Sequence, residues 1–478
     1  MPDNLSIRNL SNVPLELKLV ERFEPHDGHG HPIANVTSIF ARATNSLGIT
    51  NNTTRAAVPQ IDSDARPFTT QEVSIRIDPF NLVRTDIRAF ERSGKERLRL
   101  SFEADDGRHQ MYCPVPTQES AGLVPPPNAR HRLTGIYLTQ AAFVALYSSA
   151  NLNSWMQKMP NDIPLSFLSI PGTHNSPTHH KAPPSVRCQA VSPWDQMQNG
   201  VRFFDLRVQP ESPPNDPLVL VHSVFPISLS GKKYFRDLYN DILRFLRENP
   251  SEILLMSLKR EGPGDATDQQ LSKIVKDHYV DRDRNAWYTE PRIPDLGEVR
   301  GKIVLIRRFG LDDSLRGEHG GRGIGIDASQ WADNTPDSLC PSGDVRVQDF
   351  YEVMESENIG KKIEYCTAHF ERSGSCVYDP EKIRAQREGR GGEKTPIFLN
   401  FLSASNFWKV DTWPEKVAAK VNPACTEWLC KRPMLEEDGR VKEGAWATGV
   451  VVCDWVGLDG DWDLVRCIVG MNARWIGR

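Results

Sequence analysis

From Trp155 onward the sequence is organised by short apolar runs, and each run ends in polar or charged side chains. The runs are Leu165–Ile170, Leu218–Val221, Ile253–Met256, Ile303–Ile306, Ile397–Phe401 and Val450–Val452. They are of strand length and poor in alternation, the pattern of strands covered on both faces. Helical stretches fall between them. Over residues 234–247, Phe235, Leu238, Ile242 and Phe245 recur on one face. Strands alternating with helices through the rest of a 478-residue chain predict an α/β barrel.

Residues 5 to about 117 have another texture. Leu15, Leu17 and Leu19 alternate with Glu16 and Lys18; Val73, Ile75 and Ile77 alternate with Ser74 and Arg76. Leu98, Leu100 and Phe102 alternate with Arg99 and Ser101 before an Asp105-Asp106-Gly107 turn. Period-two alternation between turn signals predicts half-buried strands, whose natural home is a small antiparallel sandwich. Residues 118–131, with Pro125-Pro126-Pro127, read as a linker. A chain this long exceeds one ordinary domain. The expected division is a β-rich sandwich-like domain over 1–145, linker included, and an α/β barrel over 146–478.

Composition narrows the function classes. A formal net charge of −4 argues against a nucleic-acid binder, which needs a basic surface against phosphates. No apolar stretch reaches membrane-spanning length, and Met1-Pro2-Asp3-Asn4-Leu5 has no basic region followed by an apolar one. Nine scattered cysteines, an odd number, read as reduced intracellular thiols. These features predict a cytoplasmic or peripheral membrane protein.

The residues that close the runs carry the chemistry. Ile170 leads into Pro171-Gly172-Thr173-His174-Asn175-Ser176, Phe204 into Asp205-Leu206-Arg207, and Val221 into His222-Ser223. Met256 leads into Ser257-Leu258-Lys259-Arg260-Glu261, Ile306 into Arg307-Arg308, and Cys453 into Asp454. In an α/β barrel the strand C-termini converge on one face, where the active site sits. Two histidines there form an acid–base pair. An arginine between them suits a phosphate, and carboxylates fix imidazole tautomers. Such a set supports phosphodiester cleavage without a metal. One lone histidine beside an apolar run is ordinarily structural; two with an arginine at matching strand ends point to catalysis.

The chain resembles the bacterial-type phosphatidylinositol-specific phospholipases C over roughly residues 152–470. The resemblance rests on Trp155-Met156-Gln157, Ile163-Pro164-Leu165, Ser169-Ile170-Pro171-Gly172-Thr173-His174, Gly200-Val201-Arg202-Phe203-Phe204-Asp205-Leu206-Arg207, Asn249-Pro250-Ser251-Glu252, Met256-Ser257-Leu258-Lys259, Gly301-Lys302-Ile303-Val304-Leu305 and Val347-Gln348-Asp349-Phe350-Tyr351, in this order. It implies a distorted TIM-type barrel acting on phosphatidylinositol at the membrane interface, through peripheral, reversible contact. By resemblance His174 is the general base oriented by Asp454, His222 the general acid, and Arg207 the phosphate contact supported by Asp205. Lys259, Arg308, Asp349 and Tyr351 match positions that hold the inositol ring. The products implied are diacylglycerol and a cyclic inositol phosphate, with no cofactor and no metal.

Asn175 departs from the pattern, because bacterial members usually carry Asp there to support the second histidine. An amide adds no charge, so His222 is expected to be a weaker acid. Asn at this place is also similar to the calcium-dependent eukaryotic relatives, which have a carboxylate where this chain has Arg207; the fixed positive charge predicts no calcium requirement.

Other features have plainer readings. His26-Asp27-Gly28-His29-Gly30-His31 is glycine-rich and reads as a loop rather than a metal site. His179-His180 reads as rim, and Gly320-Gly321-Arg322-Gly323-Ile324-Gly325 as an active-site loop lacking the dinucleotide fingerprint. Trp408 and Trp413 are candidates for lipid contact or for core packing. Two alternative functions stay open: a phosphodiesterase for another phospholipid, and a non-catalytic phosphoinositide or lipid-binding protein.

Overall fold

The computed structural model describes residues 4–24, 61, 65–89, 96–113, 119–138, 141–211, 218–432 and 446–476. The His26–His31 cluster lies outside the described residues. The chain divides into two compact units: the first runs to Leu146 without Leu10–Asn12, and the second takes those three residues with Tyr147 onward.

The first unit is built of strands β1 (Asn4–Asn9), β2 (Leu15–Phe23), β3 (Thr69–Ile77), β4 (Leu82–Arg88), β5 (Arg97–Ala104), β6 (Gly107–Cys113), β7 (Glu119–Gly122), β8 (Leu133–Leu138) and β9 (Phe143–Ser148). They form a five-stranded sheet, β4-β1-β9-β8-β7, and a four-stranded sheet, β3-β2-β5-β6. Leu5, Ile7 and Val144 of one sheet and Leu17, Leu100 and Phe102 of the other share one apolar core. The simple alternation expected for β2 breaks at Lys18. The register shifts between Leu17 and Leu19 against both neighbouring strands. One inserted residue turns Leu19 partly outward and sends Val20 into the core. Residues 119–122, expected within a linker, are strand β7.

The second unit holds one twelve-stranded sheet, β15-β16-β14-β11-β10-β21-β20-β19-β18 with β12, β13 and β17 attached. Its strands are β10 (Ser169–Thr173), β11 (Phe203–Pro210), β12 (Leu218–His222), β13 (Phe225–Pro226), β14 (Leu254–Arg260), β15 (Trp287–Tyr288), β16 (Ile303–Arg307), β17 (Ile326–Asp327), β18 (Ser338–Leu339), β19 (Val345–Gln348), β20 (Ile397–Phe401) and β21 (Gly449–Cys453). The central strands are parallel, and the sheet curls as a half-barrel with helices against it. Every expected run is a strand except Leu165–Ile170, whose first half is a short 3-10 turn, Leu165–Phe167, before β10.

Alternation persists within the parallel strands. Phe204, Leu206 and Val208 of β11 and Leu254, Met256 and Leu258 of β14 pack with Phe235, Leu238, Ile242 and Phe245 of helix Phe235–Glu248. The intervening Asp205, Arg207, Ser257 and Lys259 therefore face the other side of the sheet. Gly172 permits the close approach of β10 and β11, since a Cβ there would lie 2.9 Å from the Phe203 side chain.

Two of the segments that carry the resemblance have a structural role. Arg202 and Glu252 form an ion pair of 2.8 Å with neither side chain exposed. Arg202 also donates to the carbonyls of Leu152, Asn153, Met197 and Val201 and lies over the Phe245 ring. This knot ties the segments that enter β11 and β14.

The Gly320–Gly325 stretch does not serve as an active-site loop. It feeds the start of β17, which runs parallel to β16, so it arrives at the strand's N-terminal end. Arg322 lines a cavity of about 650 Å³ with Pro164, Asp344 and Thr395, residues that precede strands. All nine cysteines are free thiols. Among the described residues no helix is long and apolar enough to cross a membrane.

Candidate active site

Parallel register assembles the first part of the site. Thr173, the last residue of β10, pairs with Phe204 on one side and Cys453 on the other. The next residue along, His174, is thereby delivered between Asp205 and Asp454. Its N–H donates to the Cys453 carbonyl at 2.9 Å. The chain then turns away through Asn175, at a φ of 42°, whose N–H donates to Asp205 Oδ2 at 3.2 Å.

A continuous polar network follows. His174 Nδ1 meets Asp454 Oδ1 at 2.9 Å, and Arg207 Nη2 meets His174 Nε2 at 2.9 Å. A guanidinium carries only N–H donors, so Nε2 accepts and the ring is the neutral Nδ1–H tautomer. Arg207 also reaches Asp205 Oδ2 at 3.4 Å and Glu261 Oε1 at 3.2 Å. Lys259, paired in register with Arg207 across β11 and β14, donates to Glu261 Oε1 at 3.0 Å. Arg308, just past β16, donates to Asp205 Oδ1 at 3.1 Å and lies over the Trp331 ring at 3.6 Å.

His222 arrives by a route the expected topology does not contain. Strand β12 is antiparallel to β11, so His222 is not at the C-terminus of a parallel barrel strand. The hairpin folds it back beside the site. Its ring lies 5.9 Å from that of His174, at 85°. Nδ1 donates to the Val186 carbonyl at 2.7 Å, which leaves Nε2 for a ligand. Both polar side-chain atoms of Asn175 are buried and without a partner among the described residues. The backbone carbonyl of Val186, not residue 175, orients the second histidine.

Burial opposes charge on His174, and the Asp454 carboxylate more than offsets it, raising its pKa to about 10. Arg207 acts against this through the geometry, because a protonated Nε2 cannot face its N–H at 2.9 Å. The ring takes a proton only as Arg207 turns toward its carboxylate partners. His222 behaves oppositely: burial, then Arg207 and His174, push it down to about 3. The causes are burial and neighbouring positive charge, not residue 175. Asp205 is held well below the carboxylate range; burial opposes this, and Arg207 and Arg308 overcome it. Glu261 is lowered to about 2, where burial is again overcome, by Arg207 and Lys259.

Asp349 follows β19, and its carboxyl is raised by burial against the pull of Arg308, Lys362, Arg207 and His174. Tyr351 Oη donates to Asp333 at 3.0 Å, and burial and Asp333 raise its pKa to about 12. Sequence reasoning left out several neighbours. Glu261 closes the Met256 run but was not singled out as a partner of Arg207. Val186, Cys188, Gln189, Trp331 and Asp333 lie on loops without periodic pattern. Gln189 Nε2 donates to the carbonyls of His174 at 2.7 Å and Cys453 at 3.0 Å.

The arrangement offers a lone pair for proton abstraction, a second imidazole for proton donation, and three cations for an anion between them. The donor atoms of His174, Cys188 and His222 lie within 4.8 Å of one another; among the described residues Asp105, Asp106 and His131 form a second set, of which only Asp105 is exposed. The 650 Å³ cavity holds none of the network residues, and its charges pair internally, as in Arg387 with Asp295 at 2.6 Å.

Residues 161–309 match the family described as phosphatidylinositol-specific phospholipase C, X domain. A 1-phosphatidylinositol phosphodiesterase of Staphylococcus aureus (strain Newman) is 26% identical over 339 residues, covering 68% of this chain and 95% of that protein. One from Listeria monocytogenes is 32% identical over 169 residues, 33% of this chain and 50% of that protein. A crystal structure of the phosphatidylinositol-specific phospholipase C from Staphylococcus aureus is similar in fold, with a TM-score of 0.51 and 23% identity, over 67% of this chain and 97% of that one.

Proposed function

Because residues 161–309 match the phosphatidylinositol-specific phospholipase C X-domain family, we propose that this chain is a metal-independent phosphatidylinositol phosphodiesterase. The observation that carries the reading is the Asp454–His174–Arg207 chain, with both links at 2.9 Å, facing a second imidazole 5.9 Å away.

His174 Nε2 removes the proton of the inositol 2-hydroxyl, and that oxygen attacks phosphorus. The bond from phosphorus to the glycerol oxygen breaks, giving cyclic inositol phosphate. His222 Nε2–H protonates the departing diacylglycerol oxygen. Arg207, held by Asp205 and Glu261, leaves His174 for the phosphate oxygens and stabilises the charge developing there. An anionic phosphodiester beside Arg207 relieves the repulsion that keeps His222 neutral, so substrate loads the general acid. Asp454 fixes the tautomer of His174 and stabilises its charged form. Lys259, Arg308, Asp349 and Tyr351 hold the inositol hydroxyls. Asn175 contributes its backbone N–H to Asp205.

The lipid reaches the site at a membrane surface, through peripheral and reversible contact. Val224, Phe407, Trp408 and Val410 are exposed apolar side chains. Phe225, opposite His222 in the β12–β13 hairpin, stacks on Phe407 at 5.2 Å. Apolar surface thus continues to the edge of the proposed site. Residues 146–478 are read as a TIM-type catalytic barrel and 1–145 as an accessory sandwich-like domain.

A second reading, a lipid-binding protein without turnover, is favoured by the low pKa of His222 and the unpartnered Asn175 amide. Cleavage of phosphatidylinositol in mixed micelles separates the two. The wild type turns over with chelator present, and His174→Ala and His222→Ala each lose activity. Wild-type binding without turnover leaves the lipid-binding reading.

A further inference from the structure

We propose that His174, Cys188 and His222 form a site for a soft divalent cation of the zinc type, and that its occupation shuts off the active centre. The inference rests on the reading of both imidazoles as catalytic only for its second half. Proton chemistry needs two imidazoles and has no use for the thiol between them. Yet one donor atom from each of the three residues lies within 4.8 Å of the others, with Cys188 Sγ 3.8 Å from His222 Nδ1. Zinc bonds of about 2.3 Å to sulfur and about 2.0 Å to nitrogen put tetrahedral donor atoms roughly 3.3–3.6 Å apart. Side-chain rotation of about an ångström closes that difference.

The thiol is delivered by a fixed segment. The Cys188 N–H donates to Thr178 Oγ1 at 3.2 Å, and its carbonyl accepts from the Trp455 N–H at 2.8 Å. The same segment supplies the Val186 carbonyl to His222 and the Gln189 amide to His174. One thiolate and two imidazoles select zinc over calcium or magnesium, which require oxygen ligands. Asp454 behind His174 provides the outer carboxylate that commonly orients a metal-bound imidazole.

Binding has defined proton consequences. The thiol proton passes to solvent as the sulfur–metal bond forms. His222 exchanges its hydrogen bond to Val186 for the metal, with its remaining proton on Nε2. Arg207 turns from His174 to Asp205 and Glu261, whose carboxylates already flank it. With both lone pairs on the metal, neither ring moves a proton.

The test uses the full-length protein. Cobalt(II) serves as a spectroscopic probe, because thiolate ligation gives a near-ultraviolet charge-transfer band; zinc binding is followed by calorimetry. The wild type shows the band and one zinc per chain, and zinc, unlike calcium, inhibits phosphatidylinositol cleavage reversibly. Cys188→Ser loses the band and binds zinc at least about tenfold more weakly. His222→Gln, checked for folding by circular dichroism, supplies a second variant with the same weakening. Cys376→Ser, at the one partly exposed thiol, keeps the band. A wild type without the thiolate band, or Cys188→Ser with unchanged zinc affinity, overturns the proposal. The spectra need no substrate, so they stand even where the lipid is not cleaved.

Discussion

Replacing Asp454 by Asn isolates the electrostatic part of the proposed mechanism. The carboxylate is nearly buried and meets His174 Nδ1 at 2.9 Å. A hydrogen bond to a charged partner contributes about 1.5–3 kcal/mol. At 1.36 kcal/mol per tenfold, loss of that share when His174 becomes charged lowers kcat about 10- to 150-fold. A second effect adds to it. An amide can turn its N–H toward Nδ1, which moves the ring proton to Nε2 and removes the lone pair that abstracts the hydroxyl proton. In a serine-protease triad the same exchange costs about 10⁴ in kcat. The expected fall for Asp454→Asn is therefore about 10²–10⁴ in kcat, with KM changed less than about threefold. Steady-state cleavage of phosphatidylinositol in mixed micelles measures both constants, and near-ultraviolet circular dichroism checks the fold. A kcat within about threefold of wild type refutes the assignment of Asp454 as the partner that tunes His174.

Three further outcomes follow from other parts of the structure. Glu252→Gln leaves the buried Arg202 charge uncompensated and costs about 3–5 kcal/mol of stability, read from denaturant melts; an unchanged midpoint contradicts the structural role. His222 sits near 3 in the fold against an ordinary 6.5. The folded state thus binds fewer protons below pH 6.5. The stability this contributes is complete above 6.5 and declines as pH falls toward about 3. His222→Gln removes that dependence, so the Tm of the wild type drops relative to the variant between about pH 7 and about pH 4.5; parallel Tm profiles contradict it. Trp408, 88% exposed, belongs to the surface proposed to enter the interface. Trp408→Ser weakens binding to phosphatidylinositol vesicles by about 1–2 kcal/mol while sparing hydrolysis of a water-soluble inositol phosphodiester; equal vesicle binding removes the tryptophan from the docking surface.

The strands of the second unit were legible because burial on both faces leaves unbroken apolar runs. His174, Asp205, Arg207, Arg308 and Asp454 were legible as the polar residues that end or interrupt them. Parallel register then brings them together without further information, since His174 inherits its neighbours from the pairing of Thr173 with Phe204 and Cys453. The direction of β12 was not legible, because a run such as Leu218–Val221 reads the same in a parallel strand and a hairpin. Nor was the support of His222. It comes from the Val186 carbonyl, and a backbone acceptor leaves no mark in side-chain identity. Gln189, Trp331 and Asp333 escaped for a related reason: loops have no period, so only tertiary structure places them. In the first unit the alternation of β2 was correct up to the bulge at Lys18, where an inserted residue exchanges the faces.

The central claim is metal-independent cleavage to a cyclic product, and phosphorus NMR on phosphatidylinositol micelles in excess chelator tests it most directly. The account predicts that the lipid phosphodiester signal is replaced by that of a cyclic inositol phosphate at a rate calcium does not change. No conversion in chelator, or conversion that appears only when calcium is restored, contradicts it.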